Sequence, residues 1–179
     1  MRVNRIDKLC RAEAIGCLFM DKDFQKLLEL AKSKSENKSV SPFMETGKVL
    51  CAIMTDKNNM YYAVNINSSC DMGFCAERNA AGTMLSNGES KIIKMVCLHR
   101  NGSLILPCGS CREFLMQLHE DSKDMSILTS LDGDTITLGS LLPNWWGTER
   151  FEAFRQGIII ESAHSRRHVS IKSKNGKLY

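Results

Sequence analysis

The sequence predicts an α/β fold, a three-layer α/β/α sandwich around a five-stranded mixed sheet. Five short runs rich in β-branched and apolar residues are separated by turn signals. Two of the gaps between them hold helix-favouring segments, and an amphipathic segment precedes the series. Strands interleaved with helices in the order β-β-α-β-α-β-β call for helical layers on the two faces of one sheet.

Residues 1–20 read as an N-terminal extension. Its apolar run 14–20 is short for a secretory segment and is followed by Asp21-Lys22-Asp23 without an evident cleavage site, so a helix or strand packing on the body is expected. From Asp23, a capping residue, a helix carries Phe24, Leu27, Leu28 and Ala31 at i, i+3, i+4 and i+7. The polar run 32–41 reads as a surface loop. Residues 48–55 and 60–66 read as strands around the turn Asp56-Lys57-Asn58-Asn59. Ala76-Glu77-Arg78-Asn79-Ala80-Ala81 starts a helix that Asn87-Gly88 stops. Residues 92–99 form the next strand, and Asn101-Gly102 turns the chain toward Leu104-Ile105-Leu106 and Pro107. The second helix carries Phe114, Leu115 and Leu118 inward, with His119 near its end as a cation or polar surface group. Residues 125–129 and 135–138 complete the sheet around Asp132-Gly133-Asp134. The domain expected from these elements spans 21–147, and 148–179 is a C-terminal extension.

The chemistry concentrates in two short motifs. Cys108 and Cys111 stand three apart, so with Pro107 at the first helical position both sulfurs project from one face of a first turn. Cys75 stands at the start of the other helix. Three thiolates hold zinc tightly and leave one position open for water. Helix starts lower thiol pKa values and favour the thiolate form. Because three thiolates over-neutralise a divalent ion, Arg78 and Arg112 are candidates to donate hydrogen bonds to the sulfurs and offset their charge. Glu77, two residues from Cys75, is too close to be a routine second ligand there and fits the role of general acid/base. The alternative is a closed structural site of Cys70, Cys75, Cys108 and Cys111, which leaves Glu77, Arg78 and Pro107 without a role.

Cys75-Ala76-Glu77-Arg78 and Pro107-Cys108-Gly109-Ser110-Cys111-Arg112 together resemble the two halves of the zinc signature of the cytidine deaminase family. The similarity runs from about residue 49 to 147, including Leu141-Leu142-Pro143. It implies Zn2+ as cofactor, Cys75, Cys108 and Cys111 as its ligands, and Glu77 as the catalytic proton carrier. It implies that backbone groups around Ala76 and Pro107 hold the base. The implied reaction is hydrolytic deamination of a cytosine nucleoside, cytidine or deoxycytidine giving uridine or deoxyuridine plus ammonia. A homotetramer serving pyrimidine salvage in the cytoplasm is also implied.

The substrate pocket departs from the family pattern. Asn65-Ile66-Asn67 stands where the family carries the Asn-x-Glu that holds a sugar hydroxyl, and Asn67 is shorter, uncharged and brings donors. Both asparagines also have an ordinary use in satisfying loop backbone. Gly47 stands where a Phe often lies against the pyrimidine, and Ser41-Pro42-Phe43 resembles the family's Ser-Pro-Tyr one residue out of step. These departures keep open a modified cytosine nucleoside such as blasticidin S as substrate. Among Trp145, Trp146, Phe151 and Phe154, the resemblance implies one that closes the pocket, while aromatic core packing serves for the others.

A chain of 179 residues suits one domain with one sizeable core. The cysteines left after zinc, Cys10, Cys17, Cys51, Cys70 and Cys97, are an odd set without framework spacing, which fits reduced thiols in a cytoplasmic protein. From residue 147 onward seven basic residues face three acidic ones, which accounts for the whole net charge of +4. A neutral body with a basic tail argues against a broad nucleic-acid groove. No segment is long enough to cross a membrane.

Overall fold

Phe24, Leu27, Leu28 and Ala31 form one buried stripe of helix α1 (Lys22–Lys34), as their spacing predicts. The helix starts one residue before Asp23, so Asp21 is the residue that caps it, accepting from the Asp23 N–H at 2.8 Å. Lys94 ties this helix start to the sheet through Asp21 and Asp23, both at 2.8 Å. The computed structural model describes residues 20–34, 36, 38–157, 159–160 and 171–172, so the expectations for 14–19 and for Arg166, Arg167 and His168 lie outside the described residues.

The strands are β1 (Lys38–Ser41), β2 (Met44–Thr55), β3 (Met60–Ser68), β4 (Ile92–His99), β5 (Ser126–Leu128) and β6 (Thr135–Thr137). They form one mixed sheet in which β2 pairs with β3 and with β4, and β5 joins β4 in parallel before β6 closes the edge. The sheet therefore has six strands where five were expected. The extra one, β1, lies in the run read as a loop and pairs with Met44–Thr46, the early part of a β2 that starts before residue 48. Its exposed polar side chains hide it, because backbone pairing at an edge needs no apolar face.

Alternate residues of the central strands serve two layers. Leu50, Ala52 and Met54 of β2 and Val96 and Leu98 of β4 pack with α1 into one core cluster. Cys51, Ile53, Met95 and Cys97 point to the other face and are fully buried. That face is covered by α2 (Ala76–Ser86), which packs on β2 and β3, and by α3 (Gly109–Met116), which packs on α2. Ala76, Ala80 and Ala81 let α2 sit close to the sheet, and Asn79 Nδ2 donates to the Val64 carbonyl at 3.0 Å. Each large apolar side chain so buried contributes about 1.5–3 kcal/mol.

After α3, His119 forms a reciprocal cap on a 3-10 turn, its Nδ1 accepting from the Asp121 N–H at 3.1 Å. A short helix, α4 (Leu138–Leu141), follows β6 directly, so the strand expected over 135–138 ends at Thr137.

The described residues group into two compact units, within Met1–Leu142 and Pro143–Tyr179, a division ahead of the boundary expected after residue 147. The second unit contains α5 (Thr148–Arg155) and the paired strands β7 (Ile159–Ile160) and β8 (Ile171–Lys172). Within it Trp145 packs against Trp146 and Phe151, and the Arg150 guanidinium lies 4.6 Å over the Trp146 ring. A Cβ at Gly147 would fall 2.4 Å from the Trp145 ring, so a larger residue there would displace that ring.

Candidate active site

Cys75 and Cys108 both occupy helix N-cap positions, on α2 and α3, with extended backbone at φ/ψ −70/152 and −66/165. Cys111 lies in the first turn of α3. Pro107 therefore precedes the cap instead of opening the helix, and it is the extended cap that aims Cys108 at Cys111. The Cys75 and Cys108 sulfurs are 3.8 Å apart, those of Cys108 and Cys111 3.5 Å, and all three lie within 4.8 Å of one another. Tetrahedral zinc with bonds of ~2.3 Å separates its sulfur ligands by about 3.8 Å, so the residues present fit that ion. Cys70, the fourth thiol of the closed-site alternative, is not in the group and sits exposed on a turn at φ 62.

The thiol environment is only partly what helix starts alone predict. Burial and the Glu77 carboxylate push Cys111 far above the ordinary thiol range, and burial also raises Cys75. Burial acts on Cys108 too, but the Cys111 N–H and the neighbouring thiols outweigh it and leave Cys108 below the ordinary value. The raised Cys75 and Cys111 favour the protonated thiol, so metal binding at this site is coupled to loss of protons.

Glu77 is 4% exposed. Burial raises its pKa, opposed by its own backbone N–H, by Cys111 and by Arg78. Neither Arg78 nor Arg112 hydrogen-bonds a sulfur among the described residues. Arg112 Nε instead donates to the Pro107 carbonyl at 2.8 Å, and Arg78 Nε is buried without a partner among the described residues.

A cleft of about 530 Å³ opens over these groups. Cys75, Ala76, Glu77, Arg78 and Cys108 form its reactive part, and Val49, Ile66, Phe74, Ile105 and Leu106 its apolar walls. Asn65, Asn67, Ser68 and Asp71 supply further polar lining. Pro107 is buried outside the lining. The cleft thus combines a cation site, a buried carboxylate and walls suited to a flat heteroaromatic ring.

Phe43 is not on the cleft. It is 71% exposed, and its carbonyl accepts from the Ser69 N–H at 3.0 Å. Gly47, at φ 87, sits in the register shift of β2 between Thr46 and Leu50. The aromatic wall is Phe74, which sequence reasoning missed. Phe74 and Ile66 exchange two backbone hydrogen bonds, at 2.9 and 3.0 Å, folding the connection between β3 and α2 back on the strand end. Gly73 permits that fold, because a Cβ there would meet the Ile66 carbonyl oxygen at 2.2 Å. A glycine in a short loop was the only available signal.

Comparison with known proteins adds the context. The family model described as the cytidine and deoxycytidylate deaminase zinc-binding region matches residues 14–127, starting upstream of the similarity the motifs carried. The cytidine deaminase of Sporosarcina psychrophila is 28% identical over 130 residues, covering 71% of this chain and 93% of that protein. That of Mycoplasma genitalium is 33% identical over 100 residues, covering 54% and 76%. A solved point mutant of the Mycobacterium tuberculosis cytidine deaminase has a TM-score of 0.61 at 23% identity, covering 73% of this chain and 99% of its own, a likeness of fold.

Proposed function

The chain belongs to the cytidine and deoxycytidylate deaminase family, and from that premise we propose that it is a zinc-dependent hydrolase converting cytidine or deoxycytidine to uridine or deoxyuridine plus ammonia. The observation that carries this reading is the meeting of three cysteine sulfurs, within 4.8 Å of one another, with a buried carboxylate on one cleft. Zinc bound to Cys75, Cys108 and Cys111 supplies a Lewis acid that lowers the pKa of water to about 7.

Glu77 takes a proton from the attacking water and passes it to the ring nitrogen beside the carbon that bears the amine. As the amine leaves, Glu77 carries to it the second proton of the attacking water, so that one water is consumed and one ammonia released. Burial supports this role by keeping the carboxylate ready to be protonated within the cycle. The N–H groups of the first turn of α2, beginning at Ala76, have no intrahelical acceptors and are available to the base. Arg112 holds the Pro107 carbonyl and so fixes the backbone next to Leu106 of the cleft wall, which serves the base from the other side. Arg78 and Arg112, close in sequence to the ligands, offset the excess charge of three thiolates. Phe74, Ile105 and Leu106 hold the ring.

The reading extends to a homotetramer in the cytoplasm serving pyrimidine salvage, acting on free nucleosides and not on nucleic acid. Its oligomeric part is supported by exposed apolar groups, Phe43 at 71% and Met72 at 78%. Among the described residues no helix is long and apolar enough to cross a membrane.

The test is the loss of cytosine absorbance when zinc-loaded protein is given cytidine or deoxycytidine, with mass measurement of the native assembly alongside. Turnover with release of one ammonia per uridine is expected. Zinc-loaded protein that leaves both nucleosides unchanged refutes the proposal.

A further inference from the structure

Asn65 and Asn67 form a hydrogen-bonded relay whose direction is set by the backbone. The register of β2 against β3 shifts between Thr46 and Leu50, and in that shift the Val49 N–H donates to Asn65 Oδ1 at 2.7 Å. A backbone N–H can only donate, so it fixes which end of the Asn65 amide is oxygen, an assignment that geometry alone leaves open. Asn65 Nδ2 must then donate onward, and it does so to Asn67 Oδ1 at 2.9 Å. Asn67 has its oxygen engaged and is exposed, and its amide N–H groups have no partner among the described residues. At this position a carboxylate would receive the same bond from Asn65 and present a second oxygen, an acceptor, to the ligand.

Asn67 and Ser68 lie on two depressions at once. One is the cleft with the sulfurs; the other, of about 340 Å³, contains none of them and is lined by Ser39, Ser41, Phe43 and Glu45 among others. The Ser68 hydroxyl between them is buried without a partner among the described residues. A nucleoside whose reacting ring carbon is at the sulfurs must direct its sugar away from them, and Asn67 and Ser68 mark where the cleft continues. No Lys or Arg lines the second depression, and the Glu45 carboxylate on it is held by Lys48 at 2.9 Å, so nothing there recruits a phosphate. Glu45 is also the direct cross-strand partner of Asn67. A Glu at position 67 would therefore set two carboxylates opposite each other, with Lys48 at 2.9 Å from Glu45 offsetting part of the repulsion.

Resting on the deaminase reading, we propose that Asn67 is a specificity-determining residue that works as a hydrogen-bond donor. It admits cytosine nucleosides whose sugar carries an uncharged acceptor in place of a free hydroxyl, with the substituent lodging in the second depression. An ether oxygen takes the Asn67 N–H as well as a hydroxyl oxygen does, and no acceptor at position 67 is left facing it.

The experiment compares kcat and KM for cytidine, 2′-O-methylcytidine and 3′-O-methylcytidine in the zinc-loaded wild type, in Asn67→Glu, and in Asn67→Glu with Glu45→Gln. The double variant removes the repulsion that could unsettle the strand pair. At least one ether is expected within about tenfold of cytidine in kcat/KM for the wild type. In the glutamate variants that same ether should fall a further ~10- to 100-fold behind cytidine, mostly through KM, as an acceptor is left facing an acceptor. Wild-type turnover of cytidine with rejection of both ethers, or a ratio unchanged by glutamate in the double variant, overturns the role of Asn67 and leaves the deaminase reading standing. Inactivity of the wild type on all three nucleosides overturns both.

Discussion

At the sulfur end of the cleft, local helix geometry aims the side chains. Cys75 and Cys108 are N-caps, and Cys111 is one turn into α3. At the amide end the positions come from strand register: Asn65 faces the Val49 N–H because β2 slips between Thr46 and Leu50, and Phe74 reaches the cleft because Gly73 lets the chain fold onto Ile66. In the first, the aim of each side chain depends on spacing within a few residues, and helix packing brings Cys75 to the other two. The second depends on pairings between segments far apart in the chain. The reactive end should therefore fail through chemistry, with the fold standing, and the amide end through backbone pairing.

The largest expected effect is at the sulfurs. Cys108→Ser should remove stoichiometric zinc and all measurable deamination together, read by metal analysis and the absorbance assay. A variant that keeps one zinc per chain and full turnover would remove Cys108 from the site. Next, Glu77→Gln should retain zinc while kcat drops by at least the ~10²–10⁴-fold typical of general acid/base catalysis. An undiminished rate would show that another group moves the proton.

Gly73→Ala tests the backbone half of the comparison. Its Cβ has no room at the Ile66 carbonyl, so a loss of about 1–3 kcal/mol is expected in denaturant unfolding, with weakened nucleoside binding. Unchanged stability would mean that the bridge between Ile66 and Phe74 opens freely. The smallest effect is expected at Asn65→Ala, which leaves the Val49 N–H without its acceptor at a partly buried site and should cost about 1 kcal/mol, rising toward 3 if water cannot replace it. If Asn65→Ala instead lowers zinc content as strongly as Cys108→Ser does, the two ends are not independent.

The cysteine motifs were legible because cap and first-turn positions are fixed by intervals of three residues or fewer. The apolar stripe of α1 was legible from its helical period at i, i+3, i+4 and i+7, and the helix stop at Asn87-Gly88 from a local turn signal. The β1 strand was not, because its side chains are exposed and its only signal is a backbone partner. Phe74 was passed over in favour of Phe43, since nothing local distinguishes an aromatic that folds back on a strand from one left at a hairpin tip. The arginines illustrate a further limit: sequence put both beside the ligands, but it did not show Arg112 turned to the Pro107 carbonyl.

By itself the sequence determined the three sulfurs, the carboxylate beside them and the α/β order that brings two helix starts together. The aim of each sulfur rests on short-range geometry and residue chemistry, while the meeting of Cys75 with Cys108, 33 residues further on, also needs α3 packed against α2. Tertiary structure alone decided which aromatic lines the cleft, how many strands the sheet holds and which way the Asn65–Asn67 relay points. Each of those depends on the register between strands, where a shift of one residue exchanges the two faces and every hydrogen-bond partner with them.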